Sequence, residues 1–548
     1  MTMSNRPRLR LGSSGGRRAV RLALCGLMAC GLPLHAQTTG VSGLPPLGGA
    51  QPISAPPAEG AGEGWRLPAL GEAQAWTLGR EQRLGDALLA GLYRDQAVLE
   101  DAVFQDYVQT IWTPLFASAQ GLGVLNPVLA QRFRWRLLTI RDASVNAFAM
   151  PGGVVGVHLG LMAVTDTPSQ LAAVLAHELS HVAQRHLARL MERQSQVAPL
   201  AMGAAVLAMM AMGSGSGGGD AAQAVFVGSQ AALAQSGINF TRDMEHEADR
   251  IGQQVFDAAG FPSAEFGAMF NKLYEASRLN DDGSFAYLRT HPLNHERLAE
   301  VMAREQSRAT PAKVGSPVPE AYARWMQARA QVAQTTRRED WQDWLRASPD
   351  AAATPDAQAY RAMRAAWALG DHAQAWARLN HLAQRADLPA VLRSVLLADR
   401  VQLAFLSPVS LAPEAEVRAD VAQALRGGVR AEWLTGAEAA LPWPQLHASA
   451  VARLQPWLVN HPDDAQAWSV LSRLREKQGQ HLRALRASAE AEAARGHWDG
   501  ALDRLQAAQD WSRAHPHEDP VEAQVIWTRE RQMREQQRRL IEAMRADD

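Results

Sequence analysis

The stretch TPSQLAAVLAHELSHVAQRHLARLMERQ, residues 167–194, decides how this chain is read. Thr167, Pro168 and Gln170 have the form of a helix start: a capping hydroxyl, a proline where no N–H is needed, and a reciprocal glutamine. Leu171, Val174, Leu175, Leu179, Val182 and Leu187 then recur at helical spacing. The pattern predicts one helix running to about Gln194, roughly 40 Å at 1.5 Å per residue. His177 and His181 are four apart and share a face of it, with Glu178 beside the first. Two neutral imidazoles at this spacing can reach one metal ion, and the adjacent carboxylate can activate a metal-bound water. That is the pattern of a hydrolytic zinc site. The alternative is two histidines on an exposed helix.

Downstream, TRDMEHEADRIG (241–252) predicts a second helix starting near Thr241, with Met244, Ala248, Ile251 and Val255 as its apolar stripe. Glu245 and Asp249 are four apart on an adjoining face. A catalytic zinc takes three protein ligands and keeps one position open, so Glu245 is a candidate third ligand. Asp249 suits a supporting role, accepting a ring N–H from a ligating histidine and fixing its tautomer. The alternative is a solvated acidic face, since Asp243 and Glu247 lie nearby.

Upstream, RFRWRLLTI (132–140) alternates Phe133, Trp135 and Leu137 with arginines, as a half-buried strand does. NAFAM (146–150) and VVGVHLGL (154–161) flank Pro151-Gly152-Gly153, giving strand, turn and a second extended run. Extended backbone beside a zinc helix could hold a peptide by strand addition. It could equally be a structural hairpin. Amphipathic stretches near 76–93 and 98–119 are expected to pack as helices around this core.

Taken together, NAFAMPGG, LAAVLAHELSHVAQRH and EHEADRIG resemble the HtpX-like and CAAX-prenyl-protease family of zinc metallopeptidases, over roughly residues 130–300. The resemblance implies an α+β, mostly helical fold, with a zincin-type metallopeptidase domain and a small sheet. It implies one Zn2+ per chain held by His177, His181 and Glu245, with Glu178 as general base and then general acid. Asp249 would be the carboxylate behind a ligand. In periplasmic members with a helical-repeat tail, a histidine in a THP loop can occupy the open zinc position and silence the enzyme. His291, in RTHPLNHERLAEV (289–301), matches it, and Pro292 favours extended backbone there. A surface histidine or a transition-state hydrogen-bond donor are the alternatives for His291. His158, His186, His246 and His295 lack ligand spacing and read as structural or solvated.

The chain of 548 residues, 47% hydrophobic, is long enough for two or more domains. The net charge of −1 hides an asymmetry: residues 1–36 hold six arginines and no acid, leaving 49 basic against 56 acidic residues elsewhere. No basic field for nucleic acid survives that subtraction. The arginines precede an apolar run, Leu22 to Leu34, and Leu34-His35-Ala36 resembles a signal-peptidase site. Residues 1–36 therefore read as a secretory signal, with a lipoprotein anchored at Cys30 as the alternative. Both cysteines, Cys25 and Cys30, lie within it, so no disulfide is expected after cleavage. Residues 37–72 read as a Pro/Gly/Ala-rich linker and 73–315 as the metallopeptidase domain. Val197 to Met212 is too short for the roughly 20 residues of a span. It is expected to form an apolar flap over the cleft or a peripheral membrane contact, with a membrane segment, as multi-span members of the resembled family carry in this interval, as the alternative.

From residue 316 to 548 the composition shifts, with 12 of the 16 tryptophans among Ala- and Leu-rich segments. Trp468, Leu471, Gly479, Ala484 and Ala491 fall at tetratricopeptide-like spacing. Gly496, Ala501, Leu505 and Ala508, and again Gly370, Ala375 and Leu379, repeat parts of it. An all-α repeat domain is expected, with a generic helical bundle as the alternative. The resemblance implies an exported endopeptidase in the periplasm, associated with the outer membrane, cleaving misfolded or stalled envelope proteins. Its tail would engage outer-membrane assembly machinery. The competing expectation is a chaperone or adaptor for that assembly, its protease site normally latched by His291.

Overall fold

Helix α5 (Pro168–Ala183) is buried along its whole length, and the other elements before residue 315 wrap it. A computed structural model of the chain describes residues 76–195, 242–279, 285–306, 315–347 and 356–546. The expected signal (1–36), linker (37–72), flap (197–212) and helix start at Thr241 lie outside these residues. Around α5 come α1 (Leu78–Arg94), α2 (Ala102–Gly121), α3 (Pro127–Arg132), α4 (Leu159–Val164), α6 (His186–Ser195), α7 (Arg242–Ala258), α8 (Ala264–Leu279), the single turn α9 (Tyr287–Thr290) and α10 (His295–Gln306). Strands β1 (Arg136–Ile140), β2 (Ala147–Met150) and β3 (Val154–His158) form one sheet in the order β1-β3-β2. The fold is α+β and mostly helical, with this single small sheet among the described residues.

Local chemistry sets the ends of these elements. The Thr167 hydroxyl accepts from Gln170 N, capping α5, and Asp101 accepts from Val103 N and Phe104 N, capping α2. Strand β2 runs antiparallel to β3 across the Pro151–Gly153 turn, while β1 pairs parallel with β3. Two expectations are corrected. The strand expected over 132–140 starts only at Arg136, because α3 extends to Arg132 and Phe133 and Trp135 turn into an aromatic cluster with Trp112 and Phe116. The extended run after the turn stops at His158, and LGLMAV becomes α4. Short apolar runs suit a buried helix as well as a strand.

A third correction matters more. The helix expected to continue to Gln194 breaks after Ala183, where Arg185 takes a left-handed conformation with φ 52°. The break lets the apolar side of α6, with Leu187, Ala188 and Met191, turn onto Trp76 and Leu84. The Arg185 guanidinium anchors the turn by bonding the Glu81 carboxylate and the Trp76 carbonyl.

Beyond residue 315 the described residues are helical, from α11 (Glu320–Gln334) to the helix Pro520–Ala546. Gly370, Gly479 and Gly496 each take positive φ at a tight turn between helices. A continuous apolar core runs from α2 and α5 through α11 into this region, reaching Ala487. The last helices fold back on the first ones. A side chain at Gly496 would meet the Ala90 Cβ of α1 at 2.9 Å, and Arg495 pairs with Glu100 at 2.8 Å.

The firmest tie across the chain is a buried ionic network. Arg329 on α11 bonds Asp101 at 2.8 Å, Asp399 at 2.7 Å and the Tyr360 hydroxyl at 2.7 Å. Tyr360 and Arg364 also donate to Asp399. The α2 cap is thereby fastened to three helices of the tail. Replacing Arg329 by methionine strands buried carboxylates without their main counter-charge, which costs about 3–5 kcal/mol. We expect Arg329→Met to lower the unfolding free energy by that amount, and so to lower the urea midpoint, in melts followed by circular dichroism; an unchanged midpoint would show the network contributes little.

Candidate metal centre

Helices α5 and α7 cross in close contact because α7 carries Gly252 at the crossing. A Cβ there would lie 3.2 Å from the backbone of Ala176 and His177. The contact sets Glu245 and Asp249 of α7 against His177 and His181 of α5. His291, just after α9, closes the cluster. One ligand atom from each of His177, His181, Glu245 and His291 lies within 4.8 Å of the others, and all four residues are buried.

The separations suit a small ion. The Nε2 atoms of His177 and His181 are 2.9 Å apart, and Glu245 lies 3.5 Å from each ring. His291 Nδ1 is 3.0 Å from Glu245 Oε1 and 3.4 Å from His177 Nε2. A tetrahedral zinc with bonds of about 2.0–2.1 Å has donor-to-donor edges of about 3.3 Å. Charge points the same way. Glu178, Glu245 and Asp249 are buried carboxylates, and Arg297 on α10 is the buried guanidinium that faces the last two. With neutral imidazoles, a divalent cation balances what Arg297 leaves over.

Protons respond to the same imbalance. Burial opposes charge on His177, but hydrogen bonds with Asp249 and Glu245 outweigh it and push the ring up to about 9. Burial and then the neighbouring His177 drive His181 well below the usual histidine value. Burial raises the Glu245 carboxyl, yet His291 and the two ligand-side histidines hold it well below the usual range. The raised His177 and lowered Glu245 favour positive charge at the centre, while His181 is held neutral with a lone pair to offer; the residues fit a zinc-type ion.

Each sequence-derived site residue has a definite place. Glu178 is fully buried, and neither of its oxygens has a hydrogen-bond partner among the described residues; His291 Nε2 lies 3.5 Å from its Oε1. A buried orphan acceptor beside the donor cluster is suited to a water or a substrate group. Asp249 Oδ1 sits 3.0 Å from His177 Nδ1, and both its oxygens receive bonds from Arg297. Arg297 also bonds Glu245 and the Pro292 carbonyl, tying α7 to the loop that bears His291. Tyr287 stacks on His291 with ring centres 4.7 Å apart.

The other histidines divide. His158 faces Ser144, His246 pairs with Glu300, and His295 meets Tyr274, all away from the cluster. His186 does not belong with them: it is buried against His181, its Nδ1 2.9 Å from His181 Nδ1. On an unbroken helix, five residues would rotate it about 140° from His181. The break at Arg185 brings it back. Arg297 was also missed, since nothing in its helix spacing marks it. A narrow recess beside the cluster is lined by Ala149, Met150 and Pro151 at the end of β2 and by His181, Val182 and Arg185.

Residues 122–305 match peptidase family M48, so this part of the chain is an M48 peptidase domain. The chain is 34% identical over 244 residues to the beta-barrel assembly-enhancing protease of Escherichia coli, covering 43% of this chain and 47% of that protein. It is 35% identical over 248 residues to the putative beta-barrel assembly-enhancing protease of Vibrio cholerae, covering 45% and 48%. A more distant relative is the mitochondrial metalloendopeptidase OMA1 of Arabidopsis thaliana, 29% identical over 163 residues, or 30% of each chain. The matches thus span about half the length of the first two relatives.

A bound ion should stabilise the fold by mass action. At about a hundredfold excess over Kd the gain is about 2.7 kcal/mol. Zinc added back to chelator-stripped protein is therefore expected to raise the thermal midpoint by several degrees. A melt that does not move would count against the metal site.

Proposed function

We propose that this chain is an exported zinc-dependent endopeptidase that cleaves misfolded or stalled proteins of the outer membrane. The observation that carries the reading is the buried convergence of His177, His181 and Glu245 beside the Glu178 carboxylate, whose oxygens have no hydrogen-bond partner among the described residues. Zinc at that position would polarise a scissile carbonyl and lower the pKa of a bound water. Glu178 would take the proton of the attacking water and return it to the leaving amine. Asp249, 3.0 Å from His177 Nδ1 and fixed by Arg297, would accept that ring's N–H and keep the imidazole in the tautomer whose Nε2 is free to ligate. β2 is an edge strand that ends at the recess beside His181. An extended peptide added to that edge would pass its scissile bond toward the cluster.

Export to the periplasm rests on the arginine-led apolar amino terminus. The substrate class rests on the similarity to beta-barrel assembly-enhancing proteases. The helices after residue 315, read as tetratricopeptide-like repeats, would engage assembly machinery there.

One observation favours a second state. His291 lies within ligand reach of the other three residues and is almost fully buried, as a fourth ligand blocking the open position would be. In that state the molecule would serve as an adaptor with its protease latched.

Casein cleavage by three proteins tests both readings. Glu178→Gln should cut at least about 100-fold more slowly while retaining zinc; undiminished cleavage would remove Glu178 from the chemistry. His291→Ala should cleave severalfold faster than the wild type at equal zinc content. Cleavage no faster than wild type would argue against the latch.

A further inference from the structure

The two ligand-side histidines of α5 are backed by different devices, both ending on α7. Behind His177 stands Asp249, held by Arg297. Behind His181 stands His186, whose Nδ1 is 2.9 Å from His181 Nδ1 and whose Nε2 is 3.1 Å from Glu247 Oε2. Glu247 is in turn held by Arg189 at 3.0 Å. Each chain therefore runs from imidazole to an α7 carboxylate to an arginine, with one extra imidazole on the His181 side.

We propose that His186 and Glu247 form a positioning relay that sets the tautomer of His181 and so presents its Nε2 lone pair to the metal. This rests on the metal-centre reading above. The hydrogen-bond logic runs along the chain of rings. A carboxylate has no proton to give, so Glu247 accepts from His186 Nε2–H. In the neutral ring, His186 Nδ1 is then an acceptor. Only one of two nitrogens 2.9 Å apart can carry the shared proton, so that proton sits on His181 Nδ1. His181 Nε2 is thereby left as a lone pair, facing His177 Nε2 and Glu245. The reverse polarity, with His186 donating from Nδ1, would place the His181 proton on Nε2 and block ligation.

The left-handed turn at Arg185 makes the relay geometrically available. It carries both His186 and Arg189 onto the Glu247 side of α7, which a continuous helix would not do. Glu247 and Asp249 are two positions apart on α7, so one helix serves both ligands.

The test is zinc affinity of the full chain by chelator competition, with circular dichroism of the zinc-free proteins confirming the fold. His186→Leu and Glu247→Ala should each weaken zinc binding by about 10- to 100-fold. The double variant should bind about as weakly as His186→Leu alone, because the relay acts as one unit. His186→Asn, which can keep an acceptor near the Nδ1 position, should recover most of the loss. Imidazole 15N shifts of wild-type protein should show the His181 proton on Nδ1. A His181 proton on Nε2, additive losses, or single variants binding zinc like wild type would each overturn the relay while leaving the metal centre intact. A wild type that takes up no zinc would overturn both. Should His186→Leu fail to fold, Glu247→Ala and the 15N shifts still decide the question.

Discussion

Burying three carboxylates beside three imidazoles is the constraint on which the rest of the structure depends. An unpaired charge taken out of water costs several kcal/mol, so such a cluster persists only where its charges are answered. Arg297 answers part of it by gripping Asp249 and Glu245 together. What remains is a pocket of lone pairs whose geometry and sign suit a divalent ion. The close approach at Gly252 is what makes the burial possible, since a side chain there would push α7 away from His177.

Much of this site is legible in the sequence because it depends on helical periodicity alone. His177 and His181 must share a face if the segment is helical, and Glu245 and Asp249 likewise. What periodicity cannot carry is a break in the helix. Nothing in AQRHLAR marks Arg185 as left-handed; the turn exists because α6 finds Trp76 and Leu84 about a hundred positions upstream. The spacing therefore reads His186 as structural or solvated and gives no sign that it lies against the His181 ring. Arg297 was invisible for a related reason: its partner Asp249 is 48 residues away in the chain. The same limit applies to LGLMAV, where burial on all sides removes the alternation that separates strand from helix.

The tail shows the limit at larger scale. Its change in composition near residue 316 can be read directly, yet the packing across that point cannot. Arg329 joins the α2 cap, 228 residues earlier, to Asp399, 70 residues later. Tyr322 packs edge-on against Tyr107 with ring centres 4.9 Å apart. Strain or partner binding in the tail would thus be felt at α2, which packs against both α5 and α7.

The location of His291 bears on how a latched site could open. His177, His181 and Glu245 all come from α5 and α7, whose mutual position is fixed by the Gly252 contact and by Asp249 with Arg297. His291 comes from neither helix. It follows a single helical turn and is held by its own N–H to the Tyr287 carbonyl, by stacking on Tyr287, and by the Pro292 carbonyl accepting from Arg297. Moving that loop would give up these contacts and also part the His291 ring from Glu245 and Glu178, while His177, His181 and Glu245 stay on α5 and α7. Under the latch proposed above, a site built this way would exchange its fourth position for substrate while His177, His181 and Glu245 keep their places. Arg297 is the residue that feels the exchange, because it holds the loop and the ligand helix with one guanidinium.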